Sequence, residues 1–307
     1  MKRFLRSLSD VVWGTVRIAL PKGGRFDQVY HVLHFLLTQR RFPSLANPRS
    51  FNEHVFHIKM SGLMADPLRR RISDKLLVKD FIREKVGEYY PRTFACCDSF
   101  ESFLETDLPQ RCVIKPTHAS GKVLYVDGPL DQAGLDEVRS WFDLNYYDLD
   151  RELNYRDLEK RVIVEELVGD GHSAPMDYKV FCYRGEPQFL MVDRGRFATH
   201  TRNLYTADWR LLPVLWPYAN HDLDDAPANL AEVMRLARAV SADFDFIRVD
   251  FYIAGDRIMI GELTNVPANA TERFSPRVAD RILGDLFTGK GMVDIEHELL
   301  ALAGDGP

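Results

Sequence analysis

Phe246-Ile-Arg-Val-Asp-Phe-Tyr-Ile-Ala-Gly-Asp-Arg-Ile-Met-Ile-Gly-Glu-Leu-Thr-Asn-Val-Pro-Ala268 reads as a β-hairpin that carries two carboxylates. Period-two alternation puts Ile247, Val249, Phe251 and Ile253 on one face of the first arm and Arg248, Asp250 and Tyr252 on the other. The second arm, Ile258 to Leu263, is apolar apart from Glu262, and Gly255-Asp256 is the turn signal. With a three-residue loop, Gly255 to Arg257, Ala254 faces Ile258, Asp250 faces Glu262 and Arg248 faces Thr264. A two-residue II′ turn would put Glu262 on the opposite face unless a bulge restores the register. The facing register is the expectation. Directly opposed side chains have Cβ atoms about 4.5–5.5 Å apart, so two like charges there need a cation between them. Mg2+ meets that need with one or two carboxylates and nucleotide phosphate oxygens. The alternative is a pair of solvated acids on an exposed sheet face.

Upstream of the hairpin, residues 228 to 242 have the spacing of an amphipathic helix, with Leu230, Val233, Met234, Leu236, Ala237 and Val240 on one stripe. Before it, Asp177 to Tyr183 and Gln188 to Asp193 form a hairpin around the turn Arg184-Gly185-Glu186-Pro187, and Asp177, Lys179, Phe181 and Tyr183 share a face. Arg194, Arg196, His200 and Arg202 then make a basic loop, and arginine pairs bidentately with phosphate or carboxylate. Arg161 to Val164 is a strand that runs into Glu165-Glu166-Leu167-Val168-Gly169-Asp170-Gly171, two acids and a glycine turn where backbone groups and a carboxylate could meet a flat polar ligand such as adenosine. Earlier still, strands at Cys112 to Lys115 and Val123 to Val126 flank the loop Thr117-His118-Ala119-Ser120-Gly121-Lys122. The tip of such a hairpin can lay backbone N–H groups over an anion. It is not a Walker A loop, because Pro116 takes the place of the first glycine and no helix follows.

Asp131 to Tyr147 reads as a helix with Val138, Trp141 and Phe142 inward, and Arg151 to Arg161 as a polar loop. Ile72 to Val86 reads as one helix, capped by Ser73 or Asp74 and closed by Gly87. Lys75 then falls in its first turn, where the helix field disfavours a cation and a bound phosphate would offset the cost. The bland reading of Lys75 is a solvated lysine. Lys115 ends an apolar strand and would be desolvated without an anion. Residues 21 to 60 mix helical spacing with a loop at Pro43, Asn47 and Pro48, and two helices, 277 to 287 and 292 to 303, close the chain.

The 307 residues, 46% apolar, can bury one large or two medium cores. A net charge of -5 gives no general attraction to nucleic acid. Cys96, Cys97, Cys112 and Cys182 lack metal spacing and read as reduced core thiols of a cytosolic protein. Met1 to Leu20 has basic residues and a short apolar run, far below the roughly 20 residues of a membrane span and without a cleavage site. It reads either as a segment packed on its own domain or as an amphipathic contact with the inner membrane surface.

Together these stretches resemble the ATP-grasp superfamily, in its TupA-like branch associated with teichuronopeptide and other surface-polysaccharide synthesis. The likeness is carried by Ser50-Phe51-Asn52-Glu53, Asp74-Lys75, Val113 to Gly121, Ile163 to Glu166, Asp177 to Cys182, Arg202 to Tyr205, Phe246 to Tyr252 and Gly261 to Thr264. The resemblance implies an α+β ATP-grasp fold, two α+β subdomains clamping ATP behind a mostly helical N-terminal region. The expected parts are a helical extension to residue 50, a helical region at 51–110, a small subdomain at 111–171, a metal-bearing subdomain at 172–290 and a C-terminal helix and tail at 291–307.

The resemblance also implies roles. Lys75, Lys115 and Lys179 would hold the nucleotide, and His118, Ser120 and Gly121 would cover its phosphates. Glu165, Glu166 and Leu167 would line its adenine and ribose edge. Asp250, Glu262 and Thr264 would bind Mg2+, with Thr264 standing where many relatives have asparagine. Arg248 and Lys179 would act on the transferred phosphoryl group, and Arg194 and Arg202 would hold the acceptor acid. The implied reaction is ADP-forming ligation of a small-molecule or saccharide carboxylate to an amine, with ATP and Mg2+ and no nucleic acid. The rivals are a metal-dependent glycosyltransferase using Asp222-Leu223-Asp224, a kinase on the same nucleotide clamp, and a nucleotide-binding protein without catalysis.

Overall fold

The computed structural model describes residues 13–14, 17–169, 176–195 and 199–304. The readings made on residues 1–12, on Asp170-Gly171 and on Arg196 lie outside these. The chain divides into two compact units. One holds the residues up to Met64, Pro213–Pro217 and the chain from Val266; the other holds Ala65–Leu212 and Tyr218–Asn265.

In the first unit, helices α1 (Arg25–Gln39) and α2 (Phe51–Met60) join α8 (Val278–Gly284) and α9 (Met292–Gly304). Ser50-Phe51-Asn52-Glu53 starts α2. The Ser50 side chain accepts from the Glu53 N–H and the Glu53 side chain accepts from the Ser50 N–H, a capping box. Arg41 donates to Glu53 and Asp280, and Asn52 donates to Asp280 through its backbone (2.9 Å) and its side chain (3.0 Å), so Asn52 directly and Glu53 by way of Arg41 tie α2 to α8. Phe51 is fully buried edge-on against Trp216 and Phe274.

The second unit is built on two antiparallel sheets. The smaller contains β1 (Thr93–Cys97), β2 (Arg111–Pro116), β3 (Leu124–Asp127) and β4 (Val162–Glu165) in the order β1-β4-β2-β3. Alternate residues Cys112, Ile114, Val162 and Val164 pack with Val138 and Trp141 of helix α6 (Gln132–Asp143) and with Phe100 and Phe103 of the short helix α5 (Phe100–Leu104). The larger sheet has the order β7-β6-β5-β8-β9, from β5 (Asp177–Tyr183), β6 (Glu186–Arg194), β7 (Thr201–Thr206), β8 (Phe246–Ala254) and β9 (Arg257–Thr264). Its apolar face, with Val180, Cys182, Leu190, Val192, Ile247, Val249 and Phe251, is covered by helices α4 (Leu77–Val86) and α7 (Leu230–Ser241). Strict alternation therefore leaves the polar set of β5 and β8 on the opposite face, as the sequence pattern requires.

Four local readings need correction. The helix expected over residues 72–86 is two helices, α3 (Pro67–Ser73) and α4, broken at Asp74-Lys75-Leu76. The Asp74 carboxylate caps α4 by accepting from the N–H groups of Leu76 (2.8 Å) and Leu77 (3.0 Å), so Lys75 sits in the link and not in a helical turn. Its backbone N–H donates instead to the Thr117 carbonyl at 3.0 Å. The β5–β6 turn is the two residues Arg184-Gly185, both at positive φ (51° and 78°), which matches strand twist better than the longer turn expected. The polar stretch after Arg151 includes a 3-10 turn, Leu153–Tyr155, with Arg151 and Asn154 buried. Cys96 is exposed and only Cys97, Cys112 and Cys182 are core thiols.

Candidate active site

The hairpin closes through two residues, with Ala254 opposite Arg257 and Ile253 opposite Ile258. The three-residue loop is therefore not formed. Gly255 takes φ +60° at the first turn position, where a II′ turn needs it. The pairing then slips between Asp250 and Phe251, so that Phe251 opposes Ile260 while Asp250 opposes Glu262 and Arg248 opposes Thr264. Gly261 is the extra residue. A Cβ there would stand 2.5 Å from Cε2 of Tyr252, so the ring of Tyr252 can lie over the bulge only because position 261 is glycine. Below the bulge Ile258 and Ile260 face the core, and above it Leu263 does; the change of parity turns Glu262 and Thr264 to the face of Asp250.

The charge conflict between the facing acids is met by side chains. Arg248 donates from Nε to Asp250 Oδ1 at 2.6 Å and from Nη2 to Oδ2 at 2.7 Å, and Nη2 also reaches Thr264 Oγ1 at 2.9 Å. The Thr264 hydroxyl donates to Glu262 Oε1 at 2.9 Å. From β5, Lys179 donates to Asp250 Oδ2 at 2.9 Å and lies 3.1 Å from Asp177. Asp250 and Lys179 are 5% and 3% exposed, so the pair is nearly cut off from water. Burial pushes the Asp250 carboxyl up, and Arg248 with Lys179 more than reverses this, holding it below the ordinary carboxylate range. Burial likewise works against the Arg248 cation, and Asp250 and then Glu262 raise it above its usual value. Two carboxylates and a hydroxyl are a hard oxygen set that suits Mg2+, and among the described residues no group of three or more His, Cys, Asp or Glu could hold a metal. An ion here would take its remaining ligands from phosphate and water.

Lys115 ends β2 and donates to Glu165 Oε2 at 2.8 Å; Glu165, opposite Val113 in the ladder, is 3% exposed. Its other oxygen pairs with Lys79, which also donates to the Pro91 carbonyl (2.8 Å) and Thr93 Oγ1 (2.6 Å). Burial disfavours the Lys115 cation and Glu165 outweighs it, so its pKa lies above the ordinary lysine value. Lys79, by contrast, is lowered by burial despite Glu165. The sequence reading missed Lys79, although its spacing to Ile82 and Val86 put it on the inward stripe of α4. Lys75 donates to the Ala119 carbonyl, and burial lowers its pKa against the pull of Glu262. Tyr155 was also missed; burial raises its phenol, followed by Glu262, and Arg248 lowers it. A polar run without periodicity gave no signal for it.

Beside Lys115, Val113, Tyr125, Leu167, Val168 and Tyr252 line a narrow cavity of about 20 Å³, so a nucleoside base would have to part these side chains. Glu166 is turned to the Arg92 N–H (2.9 Å) and to Arg257 (2.8 Å). Within the covering loop, Gly121 is exposed at φ +69° and the Ser120 side chain meets the Tyr146 phenol. His118 does not face the loop opening. It is 2% exposed, with Nε2 3.1 Å from the Trp141 carbonyl, and burial lowers its pKa.

Arg194, His200 and Arg202 of the basic loop are already paired. Arg202 forks onto Asp193 at 2.6 and 3.2 Å, and His200 Nε2 is 3.1 Å from the same carboxylate. Arg194 pairs with Asp224, which also holds His221 at 2.6 Å. Neither arginine stands open for an acceptor acid in this arrangement.

One small sheet supplying Lys115 and Glu165, and a larger sheet supplying Lys179, Asp250 and Glu262, are the parts of an ATP-grasp fold. Residues 59–288 match the sequence model of the TupA-like ATPgrasp family, and the chain belongs to that family. Among solved structures it is similar to the D-alanine–D-alanine ligase of Bacillus anthracis complexed with ATP (16% identity, 77% of this chain and 69% of that one, TM-score 0.42). It is similar also to the ATP-grasp ligase PsnB complexed with minimal precursor, Mg and ADP (13% identity, 75% and 60%, TM-score 0.39) and to the D-alanine–D-alanine ligase of Helicobacter pylori (13%, 65% and 53%, TM-score 0.38). Among curated proteins no match to this chain is found.

Proposed function

We propose that this protein is an ADP-forming carboxylate–amine ligase of cell-surface saccharide synthesis. The observation that supports this best is Asp250 facing Glu262 across the ladder, with Arg248 and Lys179 on the same carboxylate. Asp250, Glu262 and Thr264 would hold Mg2+, and Lys75, Lys115 and Lys179 the phosphates of ATP, which supplies the phosphoryl group that activates a carboxylate as an acyl phosphate. An amine then displaces phosphate. No protein nucleophile is needed, because positioning and neutralisation of spreading negative charge are the physical task. Arg248, firmly charged and largely enclosed at the acids, is suited to that charge. The saccharide assignment rests on membership of the TupA-like family, and a reaction fed by ATP belongs in the cytoplasm.

The glycosyltransferase reading loses support, since Asp224 of the Asp-x-Asp tripeptide is tied to Arg194 and His221. The test is an ADP-release screen over amino acids, uronic acids and amines in the presence of Mg2+, with Glu262→Gln as the control. ADP formed only when both an acid and an amine are supplied supports the ligase. ADP formed with a sugar hydroxyl and no amine would make the protein a kinase. Silence in every pairing, while ATP still raises the melting temperature, would make it a binding protein.

A further inference from the structure

The charge of this chain is divided unevenly. Met1 to Arg41 contain eight Lys or Arg against two Asp, a charge of +6, and the other 266 residues carry −11 of the overall −5. The described part of this basic stretch leads into a groove in the first unit, about 590 Å³ in volume, between α1 and α2. Its walls are apolar, with Val29, Val32, Leu33, Leu45 and Met60, and Arg25 and His57 stand at its edge. Large apolar side chains remain exposed in the same part of the sequence: Phe42 is 71% exposed, Leu45 51%, Phe26 48% and Leu63 44%. On α1, Phe26, Val29 and Leu33 follow i, i+3, i+7 spacing, one face of the helix, while Tyr30 and Phe35 go to the interior.

We infer that this groove and its rim dock on the surface of a bilayer containing anionic lipid. Isolated exposed apolar residues need no explanation, but an apolar groove whose lining includes two of them, Val29 and Leu45, marks an interaction surface. The charge selects the partner. A second copy of the chain would set another Arg25 and the same apolar rim against this one, adding like charge to the contact, and nucleic acid would satisfy the basic residues while leaving Phe26, Val29 and Leu45 against water. A leaflet of anionic headgroups over hydrocarbon meets both demands at once, with arginines at the headgroups and the apolar side chains below them. Among the described residues no helix is long and apolar enough to cross a membrane.

The test is co-sedimentation of the full chain with vesicles of phosphatidylcholine alone and of phosphatidylcholine with phosphatidylglycerol, at low and at physiological salt. Binding to the anionic vesicles that weakens with salt, with little binding to neutral ones, is the expected result. Arg25→Glu should lower partitioning at least about five-fold, the factor equivalent to about 1 kcal/mol per basic residue at such a surface. Leu45→Glu, in an exposed loop, should lower it comparably. Melting curves show whether each variant is folded, and Leu45→Glu keeps the test open if Arg25→Glu is not. Equal binding to neutral and anionic vesicles, binding unchanged in both folded variants, or no binding at low salt would overturn the inference. So would a concentration-dependent dimer that the same substitutions dissolve, which would make the groove a contact between copies. None of these outcomes depends on whether the protein is a ligase.

Discussion

Glu262 stands opposite Asp250 because Gly261 drops out of the ladder beneath the ring of Tyr252. Gly261→Ala would place a methyl group into that ring, and overpacking costs about 1–3 kcal/mol in a packed core, an upper range for this half-buried site. The variant should melt several degrees lower and release ADP more slowly. Tyr252→Ala in the same chain removes the clash, so the double variant should be more stable than the two single losses added together. Additive losses would show that the ring and the bulge are independent.

The two acids of the site should respond differently to neutralisation. Asp250 is the counter-charge of two buried cations, and removing one member of such a group costs about 3–5 kcal/mol. Asp250→Asn should therefore lose both activity and thermal stability. Glu262 accepts from Thr264 and is less enclosed, so Glu262→Gln should abolish Mg2+-dependent ADP release while the melting temperature stays nearly unchanged. A Glu262→Gln variant with full activity would remove the metal role from this residue.

Glu165 lies between Lys79 and Lys115, and its pKa is held down because the two lysines outweigh the effect of burial. A carboxylate depressed in the folded state adds stability above its unfolded pKa, about 4, and loses it as pH falls through the lower folded value. Asp193 and Asp250 are depressed in the same sense. The wild type should therefore lose melting temperature steeply below pH about 4. In Glu165→Gln the neutral-pH melting temperature should fall by several degrees, and the acid limb should be shallower.

Histidine gives a separate window. Burial lowers the pKa of His54 from 6.5 to about 4, and its ring stacks on Phe287 at 4.3 Å. A histidine kept neutral in the fold contributes stability above its unfolded pKa, and that contribution drains away as pH falls from 6.5 towards 4. His54→Phe keeps the stack and removes the titration, so its gain in melting temperature over wild type should be larger at pH 5 than at pH 7.5.

The Asp222-Leu223-Asp224 tripeptide separates structure from catalysis. Asp222 is exposed, whereas Asp224 holds Arg194 and His221. Asp222→Asn should leave ADP release and stability unchanged, and Asp224→Asn should cost about 1–3 kcal/mol of stability through the orphaned partners. Loss of activity in a fully stable Asp222→Asn protein would revive the glycosyltransferase reading.

Much of this site could be read from the residues because strand periodicity is local. Arg248, Asp250, Lys179 and Asp177 share a face through alternation alone, and the core residues confirm it. The facing of Asp250 and Glu262 was also legible, but through the wrong turn: the two-residue turn shifts the register one way and the bulge at Gly261 shifts it back. The parity change from Ile260 to Leu263 was the available signal. The break at Asp74 was hidden because helical spacing continues across it. What stayed illegible were long-range choices: Lys79 for Glu165, His118 for the Trp141 carbonyl, and Arg194 for Asp224. These depend on which buried polar atom finds which partner, and no local pattern encodes that.

The slip at Gly261 also bears on how this gene could change in length. Two codons inserted between Gly255 and Asp256 would lengthen the hairpin tip and leave every pairing below it intact. Removal of the single codon for Gly261 would leave an unbroken ladder with Glu262 still opposite Asp250, whereas one codon more before Glu262 would carry it past Asp250 to Val249 and the aliphatic interior, so single-codon insertions should be tolerated least in this arm.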